Sequence, residues 1–140
     1  MVGTSGATWG SPVRPYGGNG DGFVARLDGS GNLVWNTFLG SSMYDAGTGI
    51  AVDASGNLYA GGYFTSAGGV AANHIAKWDG TNWTWVSGSN GAGQYGTYGT
   101  QGVAAPGNVP GGREAAVSWT DAGGNLWLFG GSGFSASSLG

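Results

Sequence analysis

The sequence predicts an all-β fold of small antiparallel sheets, and three observations carry that reading. One turn is written three times, as DGSGNLVW at 28–35, DASGNLYA at 53–60 and DAGGNLWL at 121–128. Short apolar runs alternate with clusters of turn residues along most of the chain. No stretch carries a helical period, and glycine, 33 of 140 residues, would cost a helix about 1 kcal/mol at each interior position.

Eight runs read as strands: Phe23–Asp28, Leu33–Leu39, Gly49–Asp53, Leu58–Phe64, His74–Asp79, Trp83–Ser87, Glu114–Thr120 and Leu126–Gly130. GSGN joins the first two, ASGN the third and fourth, GTN the fifth and sixth, and AGGN the last two. Each tight link follows an aspartate: Asp28, Asp53, Asp79 or Asp121. An aspartate carboxylate bonds backbone amides two residues on, and glycine supplies the positive φ such turns need. Asn32, Asn57 and Asn125 complete the pattern and are read with the aspartates as structural turn residues. The connections at 40–48, 65–73 and 88–113 are longer. In an up-and-down meander the tight turns then share one end of the sheets and the long loops the other.

The strands are apolar on both sides. In LVWNTFL, Leu33, Trp35 and Leu39 point one way and Val34 and Phe38 the other; in LWLF, Leu126 and Leu128 oppose Trp127 and Phe129. A sheet solvated on one side would alternate apolar with polar. Sheets buried on both faces are stacked, and radial stacking of four-stranded antiparallel sheets is a β-propeller.

Composition removes several function classes. Aromatics are 13% and charged residues only 8%, the reverse of a disordered chain. The net charge is −3, with Arg14, Arg26, Lys77 and Arg113 the only cations, which argues against a nucleic-acid or anionic-membrane surface. There is no cysteine, hence neither a disulfide scaffold nor a thiolate metal site. No run approaches the roughly 20 apolar residues of a membrane helix. The opening MVGTSGATWG lacks the pattern of a signal peptide.

GDGFVARLDGSGNLVWNTFLG and DAGTGIAVDASGNLYAGGYF, over about residues 20–64, resemble the bacterial propeller repeats called SBBP repeats. HIAKWDGTNWTWVSGSN and GTYGTQGVAAPGNVPGGREAAVSWTDAGGNLWLFGG, over about 74–131, resemble bacterial kelch repeats, with Gly130–Gly131 as the kelch double glycine. Finding both in one chain points to a natural mosaic, or to a chain designed or recombined from propeller pieces. Blades run from an inner strand A to an outer strand D. The resemblance makes 23–39 strands C and D of one blade, 49–87 a whole blade, and 114–130 strands A and B of the next: two blades' worth in one unit spanning 1–140. Known propellers have about 4–8 blades, so two cannot close. The resemblance implies completion by homo-oligomerisation into a ring, a trimer giving six blades or a tetramer eight. It also implies an extracellular or cell-surface origin.

No catalytic constellation stands out, and no cofactor or metal is expected. Each Asp turn offers one carboxylate and one amide, whereas calcium needs several oxygens at alternating positions. His74, the single histidine, has no recognisable nucleophile or carboxylate partner, and reads as a packed or surface residue. Asp21 and Glu114 read as loop or ion-pair carboxylates. GGNGDG and GGSG lack the following helix of a phosphate loop. Trp35, Trp83, Trp85, Trp119 and Trp127 read as packing between blades. Tyr16, Tyr44, Asp45, Tyr95, Tyr98 and Arg113, with Arg14 and Asn108, fall in the long connections and form the candidate ligand-binding rim. Aromatic faces beside polar groups suit sugars or peptides. The expected function is a non-enzymatic, self-assembling propeller scaffold, with a lectin-like glycan or peptide binder as the alternative.

Overall fold

Tight turns and longer connections alternate along the chain, and that rhythm sorts the strands into sheets. The structure, a computed structural model, describes residues 1–86 and 93–134. Every helix or strand element among them is a strand: β1 (Val2–Ser5), β2 (Asp21–Leu27), β3 (Leu33–Leu39), β4 (Ala46–Val52), β5 (Leu58–Tyr63), β6 (Ser66–Ala67), β7 (Val70–Ala71), β8 (Ile75–Trp78), β9 (Trp83–Trp85), β10 (Arg113–Glu114), β11 (Val117–Thr120), β12 (Leu126–Phe129) and β13 (Ser132–Gly133). All pairing between them is antiparallel. The first sheet has the order β1-β2-β3-β6-β7, and the second is the meander β4-β5-β8-β9. β11–β12 forms a third, two-stranded sheet, and β10–β13 a short separate pair.

Each of the eight sequence-predicted strands overlaps an observed one. Ser87, the end of the sixth, lies outside the described residues, as does 88–92 of the longest connection. Glu114–Thr120 is not continuous. Ala115, at φ 54°, breaks it into β10 and β11.

The turns close as their sequence dictates. Asp28 Oδ1 accepts the amides of Ser30 and Asn32 at 2.8 Å, and Asn32 Nδ2 donates to Oδ2 at 3.0 Å. Asp53 does the same with Ser55 and Asn57, and Asp121 with Gly123 and Asn125. Asp79 takes the amides of Thr81 and Asn82 in its shorter turn. Gly31, Gly56, Gly80 and Gly124 supply the positive φ, between 79° and 102°.

Because the turns are equivalent, strands can be aligned by counting from their aspartates. Leu58 and Leu126 each lie five residues after Asp53 and Asp121, so β12 corresponds to β5 and β11 to β4. Trp78 and Leu27 directly precede Asp79 and Asp28, as Val52 and Thr120 precede their aspartates. Among the described residues β2, like β8, is paired on both edges while β4 and β11 are paired on one, so β2 is set against β8. In the second sheet Gly61 pairs with Ile75. Ile75 corresponds to Val24, and Val24 pairs with Val2. β1 therefore lies where the second half of a β5-like strand belongs. The sequence reading left this edge of β2 open. The structure corrects it: β1 covers β2 from Asp21 to Val24, and the Met1 amine and carbonyl extend the ladder to Ala25 at 2.9 Å.

The sheets stack face to face. β4 lies against β1 and β2 on one side and against β11 on the other. A bulge at Thr48, between the pairs Gly47↔Gly62 and Gly49↔Gly61, redirects the strand. Gly47 then faces Val2, and Gly49 faces Ser118 Oγ, at positions where a Cβ would crowd either neighbour. The core between the first two sheets holds Val24, Leu39, Leu58, Phe64 and Trp83. Segment 6–20 covers the far face of the first sheet: Trp9 packs edge-on to Phe23 at 5.2 Å and Phe38 at 6.3 Å, and Tyr16 to Phe38 at 5.9 Å.

Phe38 is fully buried under those rings. Phe38→Ala is expected to cost about 3–5 kcal/mol, read as a shift in the denaturant midpoint. A cost below ~1 kcal/mol would show that segment 6–20 does not pack there as described.

Candidate functional site

The rim residues chosen from the sequence fall into two groups on different sheets. The first surrounds the start of β2 and β4. Asp21 and Asp45 are both buried there. Asp21 Oδ2 accepts the Gly17 amide at 2.6 Å, and its Oδ1 is buried with no partner. Asp45 Oδ2 accepts the Ser41 amide at 2.8 Å. Burial pushes the Asp45 carboxyl up, bonding from Ser41 opposes this, and the negative charge of Asp21 adds to it. Arg14 Nη1 donates to the Phe38 carbonyl at 3.3 Å. Tyr16 Oη accepts the Gly20 amide at 2.9 Å, whereas the Tyr44 ring is exposed beside Gly20. These polar groups are spent largely on loop backbone.

The second group belongs to the connection before the third sheet. Arg113 donates to the carbonyls of Gly111 and Gly130 and to Tyr98 Oη, at 3.3, 2.8 and 3.1 Å. Tyr98 Oη also accepts the Gly111 amide at 3.1 Å. Asn108 braces Gly99 and Val103. Tyr95 packs edge-on to Phe134 at 5.6 Å. Among the described residues, no hydrogen bond or ring contact joins this group to the first. The structure therefore brings Tyr16, Tyr44 and Asp45 together, and Tyr98 and Arg113 together, without converging the six on one ligand.

Three features were not anticipated from the sequence. His74 adopts φ 65°, a left-handed conformation rare outside glycine. Its Nδ1 lies 3.2 Å from the Gly62 carbonyl, and its ring lines a cavity of about 360 Å³ with Ile75, Leu126 and Leu128, between the second and third sheets. No signal in a single sequence marks that strain.

The second feature is the outer face of the third sheet. Val117 pairs with Phe129 and Trp119 with Trp127, so all four share one face. They are 62, 73, 45 and 50% exposed, and the two indoles lie parallel within 5°, centroids 6.0 Å apart. The opposite face packs on β4, where Thr120 Oγ1 donates to the Val52 carbonyl at 2.6 Å. Trp119 and Trp127 were expected between blades, yet nothing among the described residues covers this face.

The third is a groove of about 910 Å³ between the first and second sheets at the tight-turn end, bordered by Leu27, Trp35, Ile50, Val52 and Leu58.

Hydrogen bonding holds all four turn carboxylates below the usual range. Asn32, Asn57 and Asn125 side chains lead for Asp28, Asp53 and Asp121, and the Asn82 amide for Asp79. Trp127 Nε1 also donates to Asp121 at 2.8 Å, and Asp121 is lowered to about 2. Among the described residues, no three His, Asp or Glu side chains are grouped to hold a metal. No protein-family model matches the chain, and no curated protein matches it.

The turn aspartates have folded pKa values below the unfolded value of about 3.9, so their stabilisation is complete above that pH and is lost as pH falls through the folded values. Asp45 has the opposite sign: its raised folded pKa adds stability as it protonates on acidification. The thermal midpoint is therefore expected to hold or rise into weak acid and to drop between about pH 4 and 2. Asp121→Asn should flatten the end of that drop nearest pH 2. A midpoint constant from pH 4 to 2, followed by circular dichroism, would contradict this electrostatic role.

Proposed function

We propose that this chain is a non-enzymatic β-propeller module of the SBBP-like and kelch-like kind, whose copies associate head to tail into a closed ring. One observation carries the reading. The second sheet has four strands in meander order, and the sheets flanking it hold complementary parts of that pattern. The third has the equivalents of its first two strands, and the first has equivalents of its last two plus half of the second. Set side by side from two copies, those parts make one further four-stranded sheet, once β1 gives way to β12.

Two four-stranded sheets per chain then make six blades from three chains or eight from four, within the range of about 4–8 that closed propellers use. We favour the trimer. Head-to-tail contacts form rings when the rotation closes. The reading as non-enzymatic rests on how the polar groups are engaged: Asp21 and Asp45 accept backbone amides, and Arg113 donates to two backbone carbonyls and to Tyr98 Oη. The exposed rings of Tyr44, Tyr95 and Tyr98 are the residual support for a glycan-binding alternative.

Native mass spectrometry with light scattering at micromolar concentration tests the reading. A discrete species of three copies is expected, and four copies would keep the ring with a different blade number. A monomer throughout the concentration range would overturn it.

A further inference from the structure

We propose that the groove between the first and second sheets seats the β11–β12 hairpin of a second copy of this chain. The proposal rests on the self-association argued above and names its two surfaces.

The groove lies where this chain lacks strands that its own second sheet possesses. Beyond Ala25, no strand among the described residues pairs with the β2 edge that faces away from β3. β4 has a covered half, where Gly47 meets Val2, and an open half, where Ile50 and Val52 border the groove. Val52 and Leu27 are 53 and 40% exposed there. By the count from the turn aspartates, the missing elements correspond to β4 and the first half of β5. β11–β12 is the other copy of that pair in the chain.

Register and face agree independently. Leu58 pairs with Trp78 in the second sheet. The same pairing between copies sets Leu126 of the donor against Leu27 of the acceptor, and Phe129 against Val24. The face of the second sheet turned toward the third carries Gly49, Ala51, Tyr59 and Gly61. Their equivalents on the hairpin are Val117, Trp119, Trp127 and Phe129, the exposed apolar set. In the seated hairpin this face meets Ile50 and Val52 of the acceptor, so two indoles and a phenyl ring fill the groove. The opposite face, with Thr120 on the Val52 carbonyl, stays on the donor's own β4. The donor therefore need not unfold. Only β1 must yield, because Val2 holds the place that Phe129 would take.

The hairpin face and the groove are different surfaces, so the contact is heterologous and each can be disabled alone. Trp119→Ser/Trp127→Ser removes the donor. Val52→Lys removes the acceptor at an exposed position, and Leu27→Lys does so from the other wall should Val52→Lys unfold. Each variant alone is expected to lose roughly 30-fold or more in association, as truncating a central tryptophan anchor does. A one-to-one mixture of donor-dead and acceptor-dead chains should form a heterodimer that grows no further. Deleting residues 1–5 should tighten association. If both acceptor variants assemble like the parent, the seat is wrong while self-association stands. If the parent and the deletion variant are both monomeric at high micromolar concentration, both proposals fall.

Discussion

The strand that the rest of the molecule depends on is β4, which carries a sheet on each face. It does so by having almost no side chain where its neighbours approach most closely. Gly47 admits Val2 and Gly49 admits Ser118, and the bulge at Thr48 turns the two glycines to opposite sides. Apolar area removed from water is worth about 25 cal/mol per Å², and stacking on both faces nearly doubles what a central strand can bury. The third sheet reverses this chemistry. At the positions equivalent to Gly49 and Gly61 it carries Val117 and Phe129, with Trp119 and Trp127 between them. Small residues accept a neighbour sheet closely; these four bulky ones present an exposed apolar face.

The turns were the most legible part of the sequence, because their energetics are local. An aspartate carboxylate, a glycine at positive φ and an asparagine three or four residues along close the same loop wherever they occur. Apolar runs between turns located eight strands, since strand period and turn spacing are both short-range signals. β1 was missed because VGTS has neither the length nor the apolar alternation of a strand, and forms through pairing with β2. β6 and β7 were missed for the same reason: two residues each carry no period, and only the β3 edge orders them. The break at Ala115 had no glycine or proline to announce it.

The candidate site was legible only as a location. Tyr16, Tyr44, Asp45, Tyr98 and Arg113 do lie in the long connections, but where a loop sends its side chains is decided by tertiary hydrogen bonds. Arg113 turned to the carbonyls of Gly111 and Gly130, and Asp45 to the Ser41 amide. The exposure of Trp119 and Trp127 was equally hidden. A strand that is apolar on both sides looks the same whether its second neighbour comes from its own chain or from another copy. That ambiguity is physical, and it is why the sequence reads as a stacked fold while the described residues leave one face bare.

The central claim is that the bare hairpin of one copy completes the first sheet of the next. Because the chain has no cysteine, a Leu27→Cys/Leu126→Cys variant tests it directly by non-reducing electrophoresis after mild oxidation. These positions lie on the first and third sheets of one chain, with the second sheet between them. Paired strands bring Cα atoms to about 5.5 Å, within disulfide range. The account requires a reducible ladder of covalent oligomers closing at the ring number. Assembly that persists without any such cross-link would contradict it.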